Sequence, residues 1–107
     1  LPLCFDVRNK QESFNYIQGL PAEWQAIDIL VNNAGGAWGR DRTDTADIED
    51  WETMLDTNVK GLMYISKAVI PGMKSRGGGH IINMGSIAGK EVYELGNGYN
   101  AAKFAVD

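Results

Sequence analysis

His80-Ile81-Ile82-Asn83-Met84-Gly85-Ser86 is the stretch that decides how the other residues of this 107-residue chain are read. Its apolar part is short and bounded by glycines, as a buried strand is. Ser86 stands just past the strand's C-terminal end. In open α/β sheets the ligand crevice lies outside those ends, so this hydroxyl falls where chemistry is done. Further along comes Tyr99-Asn100-Ala101-Ala102-Lys103. On a helix, Tyr99 and Lys103 share one face, with Cβ atoms about 5–6 Å apart. An ammonium at that distance favours the phenolate form of a phenol. Giving and taking a proton is what hydride transfer to or from a carbonyl group requires. A hydroxyl to hold an oxygen and a phenol to protonate it make a candidate carbonyl site.

Working outward, Ile27-Asp28-Ile29-Leu30-Val31 reads as a second strand, β-branched and buried on both faces. It ends in the turn-rich Asn32-Asn33-Ala34-Gly35-Gly36. Asp47 is an N-cap with Asp50 three residues on, a partial capping box. Trp51, Leu55, Val59, Leu62, Ile65 and Val69 then recur at spacings of three and four, the stripe of one buried helix face. Pro71 is expected to kink or shorten its last turns. Toward the N-terminus, Leu1–Phe5 reads as a strand and Gln11–Leu20 as a short helix. Ala88–Gly98 is a glycine-punctuated loop before the final helix. Strands alternating with helices imply right-handed crossovers and a parallel sheet with helices on both faces. The expected fold class is α/β: about three strands and three helices of a doubly wound, Rossmann-type sheet. Three strands with open edges make a poor domain alone. Residues 1–107 are therefore expected to be the central part of a single larger domain.

Composition narrows the function classes. The net charge of −4 and the scattered basic residues give no electrostatic footprint for nucleic acid. No apolar run reaches the ~18 residues of a membrane helix. With one cysteine, Cys4, and one histidine, His80, an internal disulfide is impossible and no metal site is expected. A reduced, cytoplasmic setting is the expectation.

Taken together, these motifs resemble the short-chain dehydrogenase/reductase family along essentially the whole chain. Asn32-Asn33-Ala34-Gly35 is similar to its N-N-A-G segment after the fourth strand. Asn58 in Asp56-Thr57-Asn58-Val59-Lys60-Gly61, with Ser86, Tyr99 and Lys103, is similar to its catalytic tetrad. Asp6-Val7 is similar to the pair after the third strand that contacts adenine. The resemblance implies that Tyr99 is the general acid or base, and that Ser86 polarises the carbonyl. It implies that Lys103 holds the nicotinamide ribose, and that a distortion at Asn58 lets its carbonyl hold a water. It makes Asp6, Val7, Asn33, Ala34, Gly35, Tyr99 and Lys103 the cofactor-binding residues, for NADP or NAD with NADP favoured. It further implies an alcohol or carbonyl substrate and a homodimer or homotetramer. The wording from Asp50 to Met73 and at His80–Asn83 resembles the branch acting on serine and other 3-hydroxy acids.

Each residue also has a plainer reading. Ser86 can simply cap a turn, and Asn58 can be a polar residue on an exposed helix face. The amides of Asn32 and Asn33 tie the strand end to neighbouring backbone. The tryptophans are packing and loop anchors, although Trp38 follows N-N-A-G on a loop that can approach substrate. Gly96-Asn97-Gly98-Tyr99-Asn100-Ala101 spells the G-x-G-x-x-A dinucleotide fingerprint but lacks the strand that must precede it. The family's glycine-rich first turn and its substrate helices are absent, so the isolated residues are expected to be inactive. A different class, a non-catalytic nucleotide-binding or scaffolding relative, would tend to lose the tyrosine or lysine that this chain keeps. An epimerase or dehydratase is disfavoured by N-N-A-G.

Overall fold

Two short strands, β1 (Ile29–Asn32) and β2 (His80–Asn83), run parallel with Ile29 opposite His80 and Asn32 opposite Asn83. The structure is a computed structural model that describes residues 1–107. Parallel strands need a long crossover, and here it is one helical rod in three parts. They are α2 (Ile48–Leu55), a wider π-type turn (Asp56–Gly61) and α3 (Leu62–Ser75). Before β1 comes α1 (Lys10–Gln18), and after β2 comes α4 (Asn97–Val106). Short 3₁₀ turns at Ala22–Trp24 and Ile87–Gly89 complete the order.

Local chemistry accounts for the element ends. Asp47 caps α2 as expected, its carboxylate accepting the Glu49 N–H at 2.9 Å. Asn9 does the same for α1 through the Glu12 N–H at 3.0 Å. The rod does not stop at Pro71 but continues to Ser75, closed by the Arg76 N–H on the carbonyls of Gly72 and Met73. A proline removes one ladder bond, and the turns on either side keep theirs. β1 starts at Ile29 and not Ile27, because the Ile27 N–H turns back to the Gln25 carbonyl.

Three expectations about burial and pairing are corrected. Leu1–Phe5 forms no strand. In a doubly wound order 3-2-1-4-5-6 the third strand lies away from the fourth, so β1 is no partner for it. Phe5 instead stacks on Tyr16 of α1, with centroids 4.8 Å apart. Second, the strands are not buried on both faces. α3 packs on the side of Leu30 and Ile81, while Ile29, Val31, Ile82 and Met84 on the other side are exposed. Third, Leu55 of the anticipated stripe is exposed, and Met54 and Asn58 are buried in its place. The π-type turn widens the repeat, which rotates the face before it out of phase with Val69 and Met73 behind it.

The buried apolar side chains are few: Met54, Val69, Met73, Ala88 and Ala102. The radius of gyration is 15.5 Å, against ~13 Å for a compact domain of about this length. The chain is an open layer with one uncovered sheet face. No helix is long and apolar enough to cross a membrane.

Candidate active site

At the C-terminal end of β1, Asn32 is buried and ties the sheet to its helix. Its amide donates to Ser66 Oγ of α3 and to Asn83 Oδ1 of β2, both at 2.9 Å. The anticipated partners were backbone atoms. The ones found are side chains. Asn33, Ala34 and Gly35 follow, exposed at the mouth of the crevice.

Asn58 holds this turn from the other side. Its side chain is 2% exposed, so the reading that puts it on a solvent face is wrong. Its amide donates to the Gly36 carbonyl and its Oδ1 accepts the Gly36 N–H, both at 2.9 Å. A Cβ on Gly35 would lie 2.6 Å from Asn58 Oδ1, so glycine is required for this approach. Asn58 lies within the π-type turn, a distortion frequent at functional sites. Gly61 of the same turn lets Val7 in: a Cβ there would meet Val7 Cγ2 at 2.8 Å. Val7, Asn33 and Ala34 therefore line one cleft of about 190 Å³.

Asp6 next to Val7 is a different case. Its carboxylate is gripped by Arg8, whose Nε and Nη2 donate at 2.6–3.1 Å and whose backbone N–H adds a bond at 2.9 Å. Those hydrogen bonds hold the Asp6 carboxyl below its ordinary value and raise the Arg8 guanidinium above its own. A carboxylate offers about four acceptor positions, so any further donor must compete with Arg8 for them. Arg8→Ala is expected to return the Asp6 carboxyl upward to the ordinary range, read by side-chain NMR titration. Because the folded value is depressed, the pair stabilises above the unfolded carboxyl value and loses that effect as pH falls through the folded one. Both side chains are nearly half exposed, so the contribution is screened and small. An unchanged Asp6 titration in the variant would show that Arg8 is not the cause.

On the β2 side, Ser86 is half-buried and its Oγ accepts the Ala88 N–H at 3.1 Å, capping the turn Ile87–Gly89. Capping uses one lone pair and leaves the hydroxyl proton free to donate. The plain and the chemical reading of this residue are compatible. Tyr99 and Lys103 lie on α4, as the spacing predicts. Lys103 Nζ sits 5.9 Å from the centre of the Tyr99 ring and donates to the Met84 carbonyl at 2.9 Å. Lys103 thus joins the tyrosine's helix to the strand end two residues before Ser86. The π-type turn carrying Asn58 packs against α4 as well.

Sequence reading missed several contributors. The Met84 carbonyl and the Arg8 clamp left no signal in the residue pattern. Asn97 at the start of α4 accepts from Thr43 Oγ1 at 3.0 Å and donates to the Asp41 carbonyl, fixing the loop after the N-N-A-G turn. Asn100 is buried against the loop behind Ser86. Trp38 lies over Gly36 and lines a small hollow with Trp51 and Gly98 beside the N-terminus of α4. The G-x-G-x-x-A match at Gly96–Ala101 has a turn and not a strand before it, as anticipated.

A parallel sheet whose C-terminal rim gathers a serine, a helix Tyr-x-x-x-Lys pair and a buried asparagine behind N-N-A-G defines a class. The chain belongs to the short chain dehydrogenase family, whose model matches residues 1–107. Among particular relatives, it is 57% identical over 98 residues to the NADP-dependent 3-hydroxy acid dehydrogenase YdfG of Escherichia coli O6:H1. That match covers 92% of this chain and 40% of the relative. The crystal structure of serine dehydrogenase from Escherichia coli superposes with a TM-score of 0.92 at 55% identity, over 95% of this chain and 47% of that one. The closed form of serine dehydrogenase complexed with NADP+ gives the same score and identity, over 95% of this chain and 41% of that one. The chain thus spans less than half the length of these relatives.

Proposed function

We propose that the protein carrying these residues is an oxidoreductase that moves hydride between NADP(H) and an alcohol or carbonyl substrate of the 3-hydroxy acid class, serine included. The observation that carries this reading is the Lys103 bridge, with its ammonium on the Met84 carbonyl at 2.9 Å and 5.9 Å from the Tyr99 ring centre. It ties the helix that carries Tyr99 to the end of the strand that leads into Ser86, which supports a shared site for the three. The relatives named for NADP and for 3-hydroxy acids or serine support the cofactor and the substrate class.

The residues present fit a dinucleotide at its two ends. The cleft of Val7, Asn33 and Ala34 would take the adenosine side, with Asp6 the residue before Val7 in the chain. Gly35 faces the same turn without a Cβ, and Tyr99 and Lys103 would take the nicotinamide ribose. When bound, the nicotinamide supplies or accepts the hydride. The chain does the rest. In reduction Ser86 donates its hydroxyl hydrogen bond to the substrate oxygen, and Tyr99 delivers the proton there. In oxidation Tyr99 takes the proton back. Lys103 keeps a positive charge beside the phenol, and Asn58 holds the turn on which the site rests, its backbone carbonyl supporting a water that refills the proton.

Residues 1–107 are proposed as the central part of one Rossmann-type domain, which the uncovered sheet face supports. On this reading the isolated 107 residues do not turn over. The protein works in the cytoplasm as a homodimer or homotetramer. The test is the absorbance of reduced cofactor with a 3-oxo acid. The whole protein is expected to consume NADPH faster than NADH, and the 107 residues alone to consume neither. An inert whole protein over a panel of 3-hydroxy acids, 3-oxo acids, sugars and simple alcohols would replace this reading with a non-catalytic one.

A further inference from the structure

Asn100 is one residue beyond Tyr99 and is 6% exposed. Its Nδ2 donates to the carbonyls of Ala88 at 2.9 Å and Glu91 at 3.2 Å, and its Oδ1 takes a long 3.5 Å contact from the Tyr93 N–H. All of these partners lie in the loop that follows Ser86. Ala88 is the shared link. Its N–H holds Ser86 Oγ at 3.1 Å, and its carbonyl is held by Asn100. A single residue therefore separates the Ser86 hydroxyl from the neighbour of Tyr99.

The packing leaves this link no slack. A Cβ on Gly89 would come within 2.5 Å of the Lys103 carbonyl oxygen, and one on Gly96 would overlap Asn100 Oδ1. Glycines at both places let the loop close onto α4. The buried carbonyl at Ala88 would otherwise need another donor, and no other side chain donates to it.

We infer that Asn100 is the positioning residue that sets the Ser86 hydroxyl against Tyr99, acting through the Ala88 peptide. The inference rests on the proposed roles of Ser86 and Tyr99. It names no contact between Asn100 and substrate; Asn100 acts on the geometry of the other two.

The test is a double-mutant cycle in the whole protein. Asn100→Ala, and Asn100→Ser with a side chain too short to reach both carbonyls, are measured alone and combined with Ser86→Ala. A misplacement of ~1 Å can cost up to about 10²-fold, so each single Asn100 variant is expected to lower kcat by about 10- to 10²-fold with KM for NADPH unchanged. In the Ser86→Ala background the same change is expected to have little further effect, because there is no longer a hydroxyl to place. Asn100→Ser keeps the test alive should the alanine variant not fold. Equal fold-losses in both backgrounds would overturn the inference and leave Asn100 as a loop anchor. So would an unchanged kcat in folded single variants. Full activity of Ser86→Ala alone would instead remove the role of Ser86, and with it this inference.

Discussion

Tyr99→Phe should lower kcat of the whole protein by about 10²–10⁴-fold, the contribution of a positioned acid or base. At 1.36 kcal/mol per decade this is a barrier increase of about 3–5 kcal/mol. The substitution removes one oxygen and keeps the ring, so the Lys103 ammonium retains its place 5.9 Å from the ring centre. Lys103 also keeps its bond to the Met84 carbonyl. Stability and NADPH affinity are therefore expected to stay close to those of the parent. A drop in kcat together with an equal drop in thermal midpoint would point to packing and not proton transfer. Turnover near the parent value would end the assignment of Tyr99.

What the sequence made legible was chemistry carried by local spacing. Tyr99 and Lys103 declare themselves because four residues is one helical turn, and the helix forms where that spacing asks for it. Ser86 declares itself because a strand precedes it. Contacts that close over long sequence separations were not legible. Asn58 reaches back to Gly36 from the middle of the crossover, and only the family resemblance marked it as more than a weak helix former. Nothing local marks Asn100, whose partners come from the loop from Ala88 to Tyr93 that folds over it. Apolarity was a poor guide at Leu1–Phe5, since it signals a wish to be covered and not by what. The same holds for Ile29, Val31 and Ile82, whose side chains are as apolar as any core strand's yet face an open side.

The second large effect is expected at Lys103. Lys103→Met keeps an unbranched apolar stem of similar reach and removes the ammonium alone. Two things go with it: the donor to the Met84 carbonyl at 2.9 Å and the positive charge beside Tyr99. The Met84 bond is solvent-accessible, so water can replace the donor and the thermal midpoint should fall only slightly. Catalysis has no such substitute. Removing one preorganised donor aimed at developing charge typically costs 10²–10³ in kcat, and a loss of about that size is expected here, with KM for NADPH rising as the ribose contact goes. Lys103→Arg restores the charge but not the compact point donor. It should recover part of the affinity and little of kcat, because a planar guanidinium cannot occupy the Met84 bond and stay beside the ring in the same way. Full recovery by arginine would mean that charge alone matters and the bridge to β2 does not. A methionine variant with intact kcat would take the ammonium out of the reaction altogether, leaving Lys103 as a strap between α4 and the strand.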